Sequence, residues 1–371
     1  LHPKHLKSGA WWTGLALALA VSVAGAHSAE WLGTSLLGFE RSPISAIMMA
    51  IVLGMIFANS VVLPPSMMEG LRFCSGTVLR TGIMLLGIRL SLASAGKNAL
   101  LATPFVAVAI AVGLITVAAM GRRMGVRRPL AGLIAVGTAI CGATAIVATA
   151  PLIRPKEEEV GYAIACVTVF GLAAMFIYPV LGHYLFPAEP GLAGLFLGTS
   201  IHETAQVAGA GMMYQAQYDA PVALDIATVT KLVRNLFMIV VIPLVGVLYA
   251  EEHLEDTHPR RGWLRLVPWF IVGFAAMSAL RTTGEFGTRP FGVLAPAQWD
   301  AVVGFLQSAA EYLLLLAMAA VGLTSRLSSM RQIGPKPFLL GLFAAAVVGG
   351  VSLAAILTFG HSLAQGLAAI H

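Results

Sequence analysis

Apolar residues fall along this chain in long unbroken runs, separated by short polar stretches. Eleven such runs centre near residues 10–26, 43–63, 71–92, 103–121, 130–150, 160–186, 191–211, 222–249, 267–281, 299–324 and 337–359. About 20 residues of α-helix cross the hydrocarbon core of a bilayer. A membrane β-barrel would need many short segments alternating at period two, and the runs do not alternate. Backbone groups in lipid must find partners within the chain, so each run predicts a helix. The expected fold is all-α and polytopic, with about 11 transmembrane helices. It forms a single transmembrane domain over 1–371, divided into an N-terminal helix and linker (1–42), a first helical half (43–186) and a second (187–371).

Two runs are interrupted by small and polar residues in the middle. Residues 137–150 begin Gly-Thr-Ala-Ile-Cys-Gly-Ala-Thr-Ala, and residues 198–211 begin Gly-Thr-Ser-Ile-His-Glu-Thr-Ala-Gln. Glycine and β-branched threonine both weaken a helix interior. Paired glycine-interrupted spans are the sequence mark of a transporter's binding site, formed where helices break near the midplane. The open N-terminal ends of such half-helices attract anions. Small-residue helix packing is the simpler explanation for the glycines, but it does not call for Thr138, Thr144, Thr199, Ser200, His202 and Glu203. A weaker likeness between residues 82–92 and 317–327 also suggests an inverted repeat.

Composition agrees with the pattern. Of 371 residues, 58% are hydrophobic and 11% charged, against about 25% charged in soluble domains. A soluble enzyme, a disordered tail and a nucleic-acid binder are excluded, since a soluble surface cannot hide so much apolar side chain. The net charge of +6 comes from short clusters between runs: Arg122, Arg123, Arg127 and Arg128; Arg260, Arg261 and Arg265; Arg326, Arg331 and Lys336. With the N-terminus in the cytoplasm all three clusters lie inside, as cationic loops do. The acidic linker 154–159 is then expected outside. Lys4 and Lys7 precede the first run, which reads as a first transmembrane helix rather than a signal peptide. Cys74, Cys141 and Cys166 are odd in number, form no CxxC and sit in apolar stretches, so they read as free buried thiols, with neither a metal site nor a cofactor expected.

Ionisable residues inside a span cost a few kcal/mol or more and are functional candidates by default. His202, Glu203 and Gln206 share neighbouring positions on one helix, and a histidine beside a carboxylate can hold or pass a proton. Lys231, Arg234 and Asn235 stand at i, i+3 and i+4, a spacing suited to an oxyanion clamp or to ion pairs with Glu203 or Asp225. Arg80 lies mid-run and needs a partner, for which Glu311 is the candidate. Arg89 can reach toward an interface. Asn59, near a run end, suits capping or packing.

Enzyme motifs fail one by one. No GxxxxGK[ST] is present. His202-Glu-Thr-Ala-Gln206 lacks the second histidine of HExxH, and Gly198-Thr-Ser-Ile-His202 lacks the closing glycine of GxSxG.

Several motifs taken together resemble one family. They are Ala50-Ile-Val-Leu-Gly-Met-Ile-Phe-Ala-Asn59, Leu79-Arg-Thr-Gly-Ile-Met-Leu-Leu-Gly-Ile-Arg89, Gly137-Thr-Ala-Ile-Cys-Gly-Ala-Thr-Ala-Ile146, Ser200-Ile-His-Glu-Thr-Ala-Gln-Val207, Lys231-Leu-Val-Arg234 and Ala317-Met-Ala-Ala-Val-Gly322. Over roughly 43–357 the chain resembles the YeiH-like conserved hypothetical bacterial membrane proteins, a family named for sulfate export. The resemblance implies a secondary transporter in the bacterial inner membrane, with sulfate or a small organosulfonate as substrate. It puts Arg80, Arg89, His202, Glu203, Gln206, Lys231 and Arg234 on the family's polar positions.

The expectation is therefore a secondary active transporter of a small anion, working by alternating access in the lipid bilayer, coupled to a proton or sodium ion. It is not an enzyme, binds no nucleic acid, and is compatible with a homo-oligomer. Its expected substrate residues are Gly137, Thr138, Cys141, Gly142, Thr144, Gly198, Thr199, Ser200, Gln206, Lys231 and Arg234, with His202 and Glu203 carrying the coupling proton. Asn59, Arg80, Arg89, Asp225 and Glu311 are further intramembrane polar candidates. The alternatives are a cation/proton antiporter built on Glu203, Asp225 or Glu311, and an intramembrane hydrolase.

Overall fold

The computed structural model describes residues 9–36, 42, 45–250, 268–286, 290–325 and 334–368. Lys4, Lys7, Arg260, Arg261, Arg265, Arg326, Arg331 and the linker 251–266 lie outside them. Each of the eleven apolar runs is helical, and no strand occurs among the described residues. The protein is a polytopic helical membrane protein. The helices are α1 (Gly9–Glu30), α2 (Ala46–Ser60), α3 (Pro65–Phe73), α4 (Leu79–Leu86), α5 (Leu92–Arg123), α6 (Arg128–Ala139), α7 (Ala143–Ile153), α8 (Glu157–Leu185), α9 (Pro190–Ser200), α10 (Thr204–Tyr218), α11 (Pro221–Leu236), α12 (Met238–Ala250), α13 (Trp269–Gly284), α14 (Pro296–Thr324) and α15 (Pro335–Ala368). Proline opens α3, α9, α11, α14 and α15, where its missing N–H has no intrahelical partner to lose.

Seven stretches are long and apolar enough to cross a membrane: Trp11–Leu36, Pro65–Arg89, Leu92–Arg123, Glu157–Leu185, Pro221–Tyr249, Pro296–Thr324 and Pro335–Ser362. The runs at 130–150 and 191–211 are not among them, because each is broken in the middle. α6 gives way to α7 at 140–142, and α9 to α10 at 201–203.

Packing divides the chain into two compact units that interleave along the sequence instead of following its halves. One takes described residues from 1–95, 212–221 and 270–328, the other from 96–211, 222–269 and 329–371. In the first unit α14 packs on α2 and α4, and α1 on α2 and α3. Its core includes Ala18, Ala50, Leu71, Cys74, Ala319 and Leu323.

The second unit holds both broken helices. Arg127, just before α6, pairs with Glu159 in the first turn of α8 (Nη1 to Oε1, 2.9 Å). The chain between them, α6 and α7, thus returns to where it started and forms a re-entrant hairpin. α9 and α10 do the same against α11. Gly194 of α9 lies against Ala223, and Gly211 of α10 against Leu224. Further along, Gly198 lies against Ala227 and Thr230, while Thr204 meets Asn235. The two hairpins enter from opposite ends. The first starts near the beginnings of α8 and α15, where Cys166 bonds the Pro337 carbonyl. The second starts at the far end of α15, where His361 pairs with Glu189 (2.8 Å). The two broken segments therefore run in opposite senses, whereas counting 130–150 and 191–211 as full spans would make them parallel. The Arg154–Glu159 linker, however, sits beside Arg127 and not across the membrane from it.

Candidate functional site

The two hairpin tips meet at Lys231 and Arg234 of α11, both wholly buried. A helix ends with carbonyls that lack intrahelical partners and carry about half a negative charge. Here the ends of α6 and α9 face the same two cations. Lys231 Nζ donates to the carbonyls of Ile140 (2.8 Å), Ile201 (3.0 Å) and His202. Arg234 donates through Nε to Ala139 (2.7 Å), through Nη1 to Thr199 (2.7 Å) and Ile201 (3.0 Å), and through Nη2 to Thr138. The contacts are paired along the repeat. Thr138 and Thr199 go to Arg234, and Ile140 and Ile201 share Lys231.

This geometry differs from the expected clamp. Lys231 spends all three N–H donors on the chain, and Arg234 keeps one of its five. The two cations neutralise helix ends and hold the tips together. Their charge reaches the site, but their N–H groups are turned to carbonyls. Close approach of α9 to α11 makes this possible. A Cβ on Gly198 would stand 2.6 Å from that of Thr230 and 2.7 Å from the Ala227 carbonyl, so a side chain there would push the α9 carbonyls away from α11.

The opposite poles of the breaks are the N-termini of α7 and α10. Gly142 caps α7 with φ +68° and ψ −133°, a conformation essentially confined to glycine. The Glu203 side chain packs directly on it. Its carboxylate accepts from Thr168 Oγ1 of α8 (3.2 Å) and lies beside the Ala143 amide that opens α7. Glu203 precedes α10, where its own helix would ordinarily claim the side chain as a cap. It instead lies at the start of α7, in the partner hairpin, while Gln206 accepts from the Glu203 N–H (3.2 Å) and donates to the Thr168 carbonyl (3.1 Å).

Several buried polar atoms around the tips have no hydrogen-bond partner: both ring nitrogens of His202, Ser200 Oγ, Thr230 Oγ1 and Asn235 Oδ1. The Thr138 carbonyl faces the His202 ring without meeting hydrogen-bond geometry. Buried polar groups are nearly always satisfied, so this cluster marks a place where water or a ligand belongs.

The structure brings together Gly137, Thr138, Cys141, Gly142, Gly198, Thr199, Ser200, His202, Glu203, Gln206, Lys231 and Arg234. The hydroxyls of Thr138 and Thr199 bond back to Ile134 (2.7 Å) and Leu195 (2.8 Å), so these residues face the cations through their carbonyls. The Cys141 thiol contacts Met238 Sδ (2.9 Å). Thr144 is exposed and Asp225 half-buried. The remaining candidates lie in the other unit. Asn59 donates to Met55 (2.7 Å) and Ser325 (3.1 Å), a packing role. Glu311 pairs with Arg89 (3.4 Å) and not with Arg80, which is exposed; Gln215 bridges the pair. Thr168 is a site residue that the sequence reading passed over. A lone threonine in an apolar helix carries no signal of its own. Asn235 donates to Thr204 (3.2 Å) across a contact visible only in the fold.

A helical membrane protein with these paired breaks matches a known family over most of its length. The chain belongs to the family described as conserved hypothetical protein 698, whose model matches residues 13–341. It is 32% identical to a UPF0324 membrane protein of Bacillus cereus over 348 residues, 92% of each chain. It is 33% identical to a UPF0324 membrane protein of Pseudomonas aeruginosa over 345 residues, 90% of this chain and 91% of the other. A UPF0324 membrane protein of Oceanobacillus iheyensis is 31% identical over 97% of this chain and 98% of its own.

Proposed function

We propose that the protein is a secondary active transporter of a small anion, sulfate or a related sulfur oxyanion or organosulfonate, in the bacterial inner membrane. The observation that carries this reading is the meeting of two inverted hairpin tips at Lys231 and Arg234, beside partnerless buried polar groups. Each helix end counts for about half a charge. The α6 and α9 ends together offset about one of the two cations, and Glu203 offsets the two N-terminal ends of α7 and α10. About one positive charge is left over with His202 neutral, which favours an anion and disfavours a cation.

In this reading the anion binds at the tips, against the amides that open α7 and α10 and near Ser200 and His202. Glu203 already occupies the α7 end, so the substrate competes with its carboxylate. Protonating Glu203 removes that competition and adds a positive charge, so a dianion enters together with a proton. His202 is the neighbouring group able to pass that proton. Alternating access follows if the tips open first to one side and then to the other, since the hairpins enter from opposite ends. The N-terminus is cytoplasmic in this scheme, and Lys231 and Arg234 act through charge.

The test is flux of labelled sulfate, sulfite and taurine into proteoliposomes across a pH gradient. The reading requires anion flux that rises with the proton gradient for the dianion, and loss of that dependence in Glu203→Gln. Sodium-linked proton movement with no anion dependence would point to an antiporter instead.

A further inference from the structure

We propose that the groove between α5, α6 and α12 is a binding site for one anionic phospholipid. It has a volume of about 470 Å³ and lies within the second unit. One wall is α5, from Ala111 to Arg122; the floor includes Ala135 and Val136 of α6; Leu244 and Tyr249 of α12 close the other side. The lining is apolar except at one end, where Arg122 and the Tyr249 hydroxyl stand.

Length and charge select the occupant. From Ala111 to Arg122 the helix rises about 16 Å at ~1.5 Å per residue. That is about half of the ~30 Å hydrocarbon core, the depth of one leaflet's chains. An acyl chain lying in the groove therefore puts its phosphate at Arg122. The same end collects Arg123 and the first turn of α6, whose N-terminal pole favours an anion. Basic pockets between membrane helices take anionic headgroups for this reason. Arg127 and Glu159 are engaged with each other (2.9 Å), so the nearby carboxylate does not offset Arg122.

The polar end is a built corner. Arg128 stacks over the Tyr249 ring at 4.6 Å and donates to the Leu248 carbonyl (2.8 Å), while the Tyr249 hydroxyl donates to the Arg128 carbonyl (3.1 Å). These contacts fix the end of α12 to the start of α6 and keep the groove open above Ala135 and Val136. Those floor residues sit within one turn of Thr138, so a lipid in the groove braces the half-helix whose carbonyls Arg234 holds.

The test is native mass spectrometry of the full chain in detergent, titrated with phosphatidylglycerol and with phosphatidylcholine of the same acyl chains. One arginine near an anionic headgroup is worth about fivefold in affinity. Phosphatidylglycerol should bind at least that much more tightly, and Arg122→Gln should cut the preference about fivefold. Ala118→Trp, which fills the groove from a half-buried lipid-side position, should remove most binding of both lipids. Equal affinity for the two lipids, an unchanged preference in Arg122→Gln, or wild-type binding in Ala118→Trp would each overturn the proposal. A lipid-independent dimer that dissociates in Ala118→Trp would assign the groove to a second copy of the chain and overturn it too.

Discussion

Ile140 and Ile201 offer their carbonyl oxygens to one ammonium, that of Lys231, at 2.8 and 3.0 Å. The two residues hold the same place in the two hairpins. Pro129 and Pro190 stand in the first turns of α6 and α9, Ala139 and Ser200 end those helices, and Ala143 and Thr204 begin the next ones. Two helix C-termini brought together would repel. One cation shared between equivalent carbonyls turns that repulsion into the contact that joins the hairpins.

Removing the shared cation should be costly. Lys231→Met leaves the buried carbonyls of Ile140 and His202 without a donor, each worth about 1–3 kcal/mol, and takes one of two donors from Ile201, which Arg234 still serves. We expect a stability loss of about 3 kcal/mol or more, seen as a large fall in thermal unfolding temperature in detergent. Arg80→Met, at an exposed site, should change stability by only about 0.5 kcal/mol. Similar small shifts in both variants would refute the role given to Lys231.

The hairpin assignment predicts accessibility. Arg123 and Glu158 are exposed and flank α6 and α7. Cysteines placed at the two positions should react with a membrane-impermeant thiol reagent from the same side of the membrane. Labelling from opposite sides would mean that 130–150 spans the bilayer.

Gly142 provides a local test. Alanine at φ +68° is strained by about 1–3 kcal/mol, and its Cβ would meet the Glu203 side chain. Gly142→Ala should lower the unfolding temperature and reduce flux at least tenfold. Gly161→Ala, where nothing lies within 4 Å, should leave both unchanged.

The Arg89–Glu311 pair is partly exposed on its acidic side, with the Glu311 side chain 41% accessible. Solvent screening should hold its coupling energy to about 1 kcal/mol or less. A double-mutant cycle on unfolding of Arg89→Gln and Glu311→Gln should return a small positive coupling, and the same cycle with Arg80→Gln should be additive.

Much of this arrangement could be read from the residues. Glycine and threonine in mid-run marked both breaks, and the parallel wording of 137–150 and 198–211 marked them as equivalent. The reversal of the chain at each break could not be read. It depends on which helix each half packs against, as Gly194 and Gly211 do against adjacent residues of α11. The partner of Glu311 was misplaced for a local reason. A π-helical turn at Cys74–Val78 and a 3-10 turn at Gly87–Arg89 interrupt the α-helical register of that span, so counting along an ideal helix does not show which arginine faces α14. The cations at 231 and 234 were evident, but the direction of their donors is a tertiary fact.

The most direct measurement is a structure of the protein saturated with a transported anion. The account predicts density between the two tips, bounded by Gly142–Thr144 on one hairpin and Ser200–Thr204 on the other, with the Glu203 side chain displaced from its packing on Gly142. Closed tips with Glu203 still seated, and the anion bound elsewhere, would contradict it.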